Sequence, residues 1–496
     1  MLKNELHQLV HSLSRMEKRY VRMRARQFSE NGDARYAQLF EILLDQPEYD
    51  KAAILEHFAG EAFLKQFSVA KHYLFHLILQ ALRGFYAEKS SELEFSRRLD
   101  EIQLLYHRQM YGACKRMIRQ TKKKAAQLEW PLKMLEILRW EMRLCRALPG
   151  KDFGKRLDEL HAEEELALQQ MQWESALTRL YDRVFPLMLA QQSLEKDVVG
   201  AELSEVISHE LIASPPAELA FEARIIRAFT LVFCHHLMGN PTAAHAAYSV
   251  LLRIWQGNPT RQRTARARYA RALMGFLDTC FEVGKFPDAE ATFDTLYEIA
   301  AKDANFRQSQ ALRMYNLQLR FFLRSSRYED AKSIVPQIAA HLEKTPSEST
   351  KSLVHSVYCN VGNVFFILGE FRPCIQWLHR LTRIEGKGIR HDIQIIARIL
   401  SMISHFELEN SDLLQHLMSG LQRYLRRTRT QADFALLIGE SLLRIAATPQ
   451  SQHTALFAQF STQLHDTGPF ILSREVHAWL AHRRTGRPIA TFLQSS

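Results

Sequence analysis

Glycine and proline are scarce here: 19 and 15 of 496 residues, against average usage of about 7% and 5%. So few chain breakers exclude collagen-like and proline-rich classes, and predict long uninterrupted helices. Cysteine is also thin. Six occur singly, at 114, 145, 234, 280, 359 and 374, with no C-x-x-C pair, a pattern that excludes paired-cysteine metal sites and fits small buried thiols in a reducing compartment. No apolar run reaches the ~18 residues that a bilayer-spanning helix needs. The opening Met1-Leu-Lys-Asn-Glu-Leu-His lacks the unbroken apolar stretch of a secretory signal. A soluble, cytoplasmic protein without a membrane partner is expected.

Catalytic signatures are missing too. There is no H-E-x-x-H, G-x-S-x-G or G-x-G-x-x-G. Gly150-Lys-Asp-Phe-Gly154-Lys155-Arg156 superficially resembles a phosphate loop, but it is one spacer residue short and has Arg156 where a Ser or Thr must reach magnesium. His7 with His11 and His72 with His76 stand at i, i+4 spacing, without an accompanying carboxylate or cysteine. The reading is of a protein without enzymatic activity, cofactor or metal.

What is present is a recurring turn between apolar helical stretches: Gly239-Asn-Pro-x-x-Ala244, Gly284-Lys-Phe-x-x-Ala289, Ser326-Arg-Tyr-x-x-Ala331 and Gly369-Glu-Phe-x-x-Cys374. Their first residues lie 45, 42 and 43 positions apart, and periods of roughly 20–50 residues mark stacked repeats. The expected fold is all-α. With 47% hydrophobic and 24% charged residues, the chain has ample material for a continuous core and little tendency to disorder. The formal net charge of +11 favours acidic partners or nucleic acid, although basic runs on helices most often serve as solvated faces.

Composition and turn signals divide the chain into four parts. Residues 1–90 form an N-terminal helical unit, opened by the capping box Ser14-Arg-Met-Glu17, with Asp50 capping a short helix that Gly60 ends and a long helix from Ser68. Residues 91–215 carry irregular helical repeats, in which Gln109 stands where a turn glycine is expected and Trp130-Pro131 opens a helix. Pro215-Pro216 breaks the pattern. Residues 216–430 hold the regular repeats, with loops at 257–259, 345–350 and 385–388, and residues 431–496 supply capping helices.

The stretch Tyr358, Val361, Gly362, Phe365, Gly369, Phe371, Cys374, Leu378 and Leu381 resembles a tetratricopeptide repeat (TPR). Gly362 and Cys374 are small where two antiparallel helices touch, and Phe365 and Phe371 fill the space beside them. Units of 42 to 45 residues are longer than the 34 of that family, and the resemblance covers about half the chain. It implies an α-α superhelix, a TPR-like solenoid, that binds a protein or peptide in a concave groove lined by the first helix of each pair. Residues at fixed offsets before the turns then form a ladder. Thirteen before gives Ile226, Arg271, Arg313 and Ser356; ten before gives Phe229, Met274, Asn316 and Cys359; six before gives Phe233, Asp278, Arg320 and Asn363. From these, Arg271, Arg313, Asn316, Arg320 and Asn363 are expected to line a partner-binding groove, the arginines suiting an acidic segment. The rival reading is a nucleic-acid-associated regulator using the basic N-terminal helix with Arg15, Lys18, Arg19, Arg22, Arg24 and Arg26. Against it, the helix from Ser68 offers Tyr73, Leu74, Leu77, Ile78 and Ala81 where a recognition helix needs polar side chains.

Overall fold

The computed structural model describes residues 4–29, 35–60, 67–86, 90–189, 196–344, 351–383, 390–428, 432–466 and 472–494. Among them every regular element is helical. The expected loops at 345–350 and 385–388 lie outside the described residues. The chain divides into two compact units, Met1–Asn240 with Ala247–Tyr269, and Pro241–Ala246 with Ala270–Ser496.

The first unit begins with α1 (Glu5–Ser12), α2 (Arg15–Ser29), α3 (Arg35–Asp45), α4 (Lys51–His57) and α5 (Phe67–Tyr86). The capping box at α2 is reciprocal: Ser14 N–H donates to Glu17 Oε2 at 2.6 Å, and Ser14 Oγ accepts from Glu17 N–H at 3.4 Å. Asp50 accepts from the amides of Ala52 and Ala53 at the start of α4. These five helices enclose Leu6, Val10, Val21, Leu39, Phe40, Leu74 and Ile78. They are followed by α6 (Ser91–His107), α7 (Tyr111–Gln127), α8 (Pro131–Ala147) and α9 (Phe153–Leu189), then α10 (Lys196–Ser208), α11 (Glu210–Ala213) and α12 (Phe221–Leu237). Proline at the first position of α8 sits where its missing N–H would have had no partner. The 37-residue α9 is about 55 Å long and packs against both α8 and α12.

A buried cation ties this unit together. The chain continues as α13 (Pro241–Gln256), α14 (Pro259–Thr264) and α15 (Arg266–Val283). Asn258 caps α14 by accepting from Arg261 N–H at 3.1 Å. The Arg261 guanidinium, 5% exposed, donates to Leu128 O at 2.7 Å and to Glu222 at 3.2 Å. It lies 5.0 Å from the Trp130 ring centre and 4.8 Å from that of Phe221. The basic run from Arg261 to Arg271 is therefore not uniformly a solvated face. Its first member is a core tie, and burial pushes its pKa down from the usual arginine value, against the pull of Glu222.

The second unit holds the rest of α15 and then α16 (Phe286–Lys302), α17 (Ala304–Arg324), α18 (Tyr328–Ser333), α19 (Val335–Lys344), α20 (Lys351–Ile367), α21 (Phe371–Thr382), α22 (His391–Glu407), α23 (Ser411–Thr428), α24 (Asp433–Ala446), α25 (His453–Asp466), α26 (Ser473–Thr485) and α27 (Ile489–Gln494). The segment after the Ser326 turn is split into α18 and α19 because Pro336 has no N–H to give the Lys332 carbonyl. One hydrophobic core runs from Leu312 to Leu493. The expected contact between the helices of the best-matching repeat is close. A Cβ added at Gly362 would lie 2.5 Å from Leu378 Cδ2, so any larger residue there must displace the Leu378 side chain.

All four recurring turns have a left-handed first residue, with φ of 68° at Gly239, 71° at Gly284, 58° at Ser326 and 73° at Gly369. At Gly369 the amide donates to Phe366 O at 3.0 Å and the next amide, of Glu370, to Phe365 O at 2.8 Å, the paired closure that satisfies a helix's last carbonyls. Gln109 repeats it at φ 58°, as expected. Glu129 (φ 49°) and Glu409 (φ 59°) do so as well, each with the same two backbone bonds. The turn motif thus recurs where its sequence signal fades.

Candidate functional site

The five residues expected to line a groove all fall in the second unit. Arg271 is on α15, Arg313, Asn316 and Arg320 are on α17, and Asn363 is on α20. Arg271 and Arg313 are exposed, and among the described residues neither has a hydrogen-bond or ion-pair partner. The other three are engaged within the fold. Arg320 pairs with Asp278 and lies 5.5 Å from the Phe281 ring centre. These two charges occupy the same offset before successive turns and neutralise each other. Asn316 is 9% exposed, and its Oδ1 accepts from Asn360 Nδ2 at 2.9 Å. Asn363 Nδ2 donates to Glu475 Oε1 at 3.4 Å.

That last contact joins residues 112 positions apart and reflects the path of the C-terminal helices. The α26–α27 pair returns to the turn at Ser326. Arg474 Nη2 donates to Leu493 O at 3.2 Å, and Ser326 Oγ donates to the same carbonyl at 3.4 Å. Trp479, fully buried, anchors α26 by donating from Nε1 to Glu407 at 2.7 Å. Between α17, α20 and this pair lies a cavity of about 450 Å³. Arg320 and Asn363 line it, together with Arg324, Asn360, Arg474 and Glu475. Two of these were within reach of sequence reasoning: Arg324 follows Arg320 by four residues and Asn360 precedes Asn363 by three, so each shares a helix face with a ladder residue. Arg474 and Glu475 carry no such signal, since only the tertiary return of α26 brings them there.

Other chemistry-bearing groups are used structurally. His7 and His11 donate from Nε2 to Gln46 O at 2.8 Å and Leu43 O at 2.9 Å. His72 and His76 meet edge to face, with ring centres 4.3 Å apart. Among the described residues no group of three or more His, Cys, Asp or Glu is placed to hold a metal. All six cysteines are free thiols, five of them buried, and burial pushes Cys234, Cys280, Cys359 and Cys374 up to about 12, far from thiolate chemistry. On the basic N-terminal helix, Arg22 forms a two-bond pair with Glu41 at 2.7 Å, and Arg24 lies 5.8 Å from the Tyr20 ring centre. The Arg26 side chain lies outside the described residues. Arg15, Arg19, Arg22 and Arg24 are all exposed, the charge of Arg22 being matched by Glu41, and half-buried Lys18 lies beside them. Among the described residues no helix is long and apolar enough to cross a membrane.

Among the described residues the folded chain belongs to the broad class of all-helical proteins. No protein family matches the sequence, and neither a curated protein nor a solved structure gives a match.

Proposed function

We propose that the protein is a non-enzymatic, cytoplasmic scaffold or adaptor whose second unit binds a protein or peptide partner of acidic character. In this reading the hairpins of that unit stack as consecutive turns of a TPR-like α-α superhelix, and the first helix of each pair faces the partner. The observation that carries it is the pair Arg271 and Arg313. They are exposed, without a partner, and at the same offset before successive turns, whereas Arg320 is already neutralised by Asp278. Each guanidinium offers a two-bond fork to a carboxylate, and each charge-assisted hydrogen bond contributes roughly 1.5–3 kcal/mol before ordering costs.

The test is affinity capture from native extract, with and without nuclease, comparing the wild type with Arg271→Glu/Arg313→Glu. Arg320 stays unchanged, because reversing it would set two carboxylates against each other at Asp278. A protein retained by the wild type and lost by the folded double variant supports the reading. Equal capture by both sinks it, and loss of all capture on nuclease treatment moves the reading to a nucleic-acid-associated regulator.

A further inference from the structure

The cavity between α17, α20 and α26 carries uncompensated charge of both signs. Among the described residues neither Arg324 nor Arg474 is paired with a carboxylate; Arg474 spends one N–H on the Leu493 carbonyl and keeps the remainder of its fork. Among the described residues Glu475 has no ion-pair partner either, and its hydrogen bond is the long one from Asn363. That bond fixes the amide orientation of Asn363, since turning it would set oxygen against carboxylate, and it leaves Asn363 Oδ1 shielded from solvent without a donor. Asn360 gives its Nδ2 to Asn316, which leaves its own Oδ1 to accept. Arg320 adds no net charge, being matched by Asp278.

The wall therefore presents two unmatched guanidinium groups, one unmatched carboxylate and an amide acceptor beside it. Apolar surface completes it, from Leu323, Ile367, Leu472 and Leu493. A bare anion would satisfy the arginines and leave Glu475 alone with an added negative charge. A bare cation would do the reverse. A ligand with a carboxylate and an ammonium group meets both, and a nonpolar side chain on the same molecule meets the leucine and isoleucine surface. The volume of about 450 Å³ lies within the range of about 300–1,000 Å³ found for small-molecule sites.

We propose that this cavity binds a small zwitterion with an apolar side chain, either a free α-amino acid or a short peptide. Its carboxylate sits against Arg324 and Arg474, and its ammonium group against Glu475 and the side-chain amide of Asn360. Arg271 and Arg313 are not part of this site, so it stands or falls independently of the partner reading.

The experiment is isothermal titration of the full chain with L-leucine, L-methionine, L-phenylalanine and the dipeptide Leu-Leu, which separate the free amino acid from the peptide source. L-leucinamide, N-acetyl-L-leucine and inorganic phosphate probe the two charges. Saturable binding of at least one zwitterion is expected. Its amide, which lacks the carboxylate, and its N-acetyl form, which lacks the ammonium, should each bind at least about tenfold more weakly. Arg324→Ala and Glu475→Gln should weaken the zwitterion to a similar extent. Both replace side chains that hold no ion pair, and circular dichroism would verify the fold of each. No saturable binding by any zwitterion overturns the proposal, as does binding that both variants leave unchanged. Phosphate binding as tight as the best zwitterion would also overturn it, by showing a simple anion site.

Discussion

Replacing Gly362 with alanine tests the central packing claim of the repeat. In an exposed helix this change stabilises by about 0.5–1 kcal/mol, because glycine has more backbone entropy to lose. At Gly362 the new methyl would lie 2.5 Å from Leu378 Cδ2 and 2.8 Å from Leu378 Cγ, and Leu378 is fully buried. Moving Leu378 aside in a close-packed core disturbs its neighbours, so overpacking of about 1–3 kcal/mol opposes the gain. The balance is a net loss of roughly 1 kcal/mol and at most about 2.5 kcal/mol. Gly420, mid-way along α23, has nothing within 4 Å of its virtual Cβ, so Gly420→Ala shows the gain alone. Hydrogen exchange across residues 357–381 reports the local effect without requiring the whole chain to unfold in one step. Leu378→Ala alone should cost about 2–5 kcal/mol, and less in the Gly362→Ala background, where the added methyl occupies part of the vacated space. Gly362→Ala protection equal to or above wild type would refute the reasoning.

Two further expectations follow from buried ionisable groups. His355 is fully buried on α20, neither ring nitrogen has a hydrogen-bond partner among the described residues, and burial holds its pKa below the usual 6.5. The unfolded chain then binds the proton first, so stability should fall as pH drops below about 6.5, by up to about 1.4 kcal/mol per unit until the folded value is reached. Urea midpoints between pH 7.5 and 5.5 for wild type and His355→Phe measure this, and an identical slope in both would exclude the residue as the cause. Arg261→Ala should destabilise the first unit by about 1–3 kcal/mol by leaving the Leu128 carbonyl without its donor, since Glu222 keeps its two bonds from Arg268, and Arg261→Lys should recover little, because an ammonium cannot span Leu128 O and Glu222 as the fork does. Thermal unfolding followed by tryptophan fluorescence decides it, and a change within about 0.5 kcal/mol would mean the tie is not needed.

The all-helical class and most helix limits are legible in the sequence because caps and breakers act locally. Ser14, Asp50, Pro131 and the four recurring turns each do in the fold what their chemistry implies. The turns at Glu129 and Glu409 are not legible, since a left-handed residue without glycine costs only about 1–2 kcal/mol, and the surrounding helices impose it. Offsets from the turns bring Arg271 and Arg313 out as exposed cations. They could not foretell that Arg320 meets Asp278 or that Asn316 turns to Asn360, because those depend on how neighbouring hairpins pack. The cavity is harder still. Half its charged wall comes from α26, and nothing near Arg474 in the chain announces where that helix lands.

The bond from Arg261 to Leu128 spans 133 residues, and this sets an order of events on the ribosome. At about 5–20 residues per second, roughly 7–27 s separate synthesis of the two partners. During that interval the carbonyls at the end of α7 are hydrated and the Trp130 ring lacks the guanidinium that later lies over it. The tie at Arg261 can therefore form only when the segment preceding Tyr269 has left the exit tunnel, although the first five helices carry a core of their own.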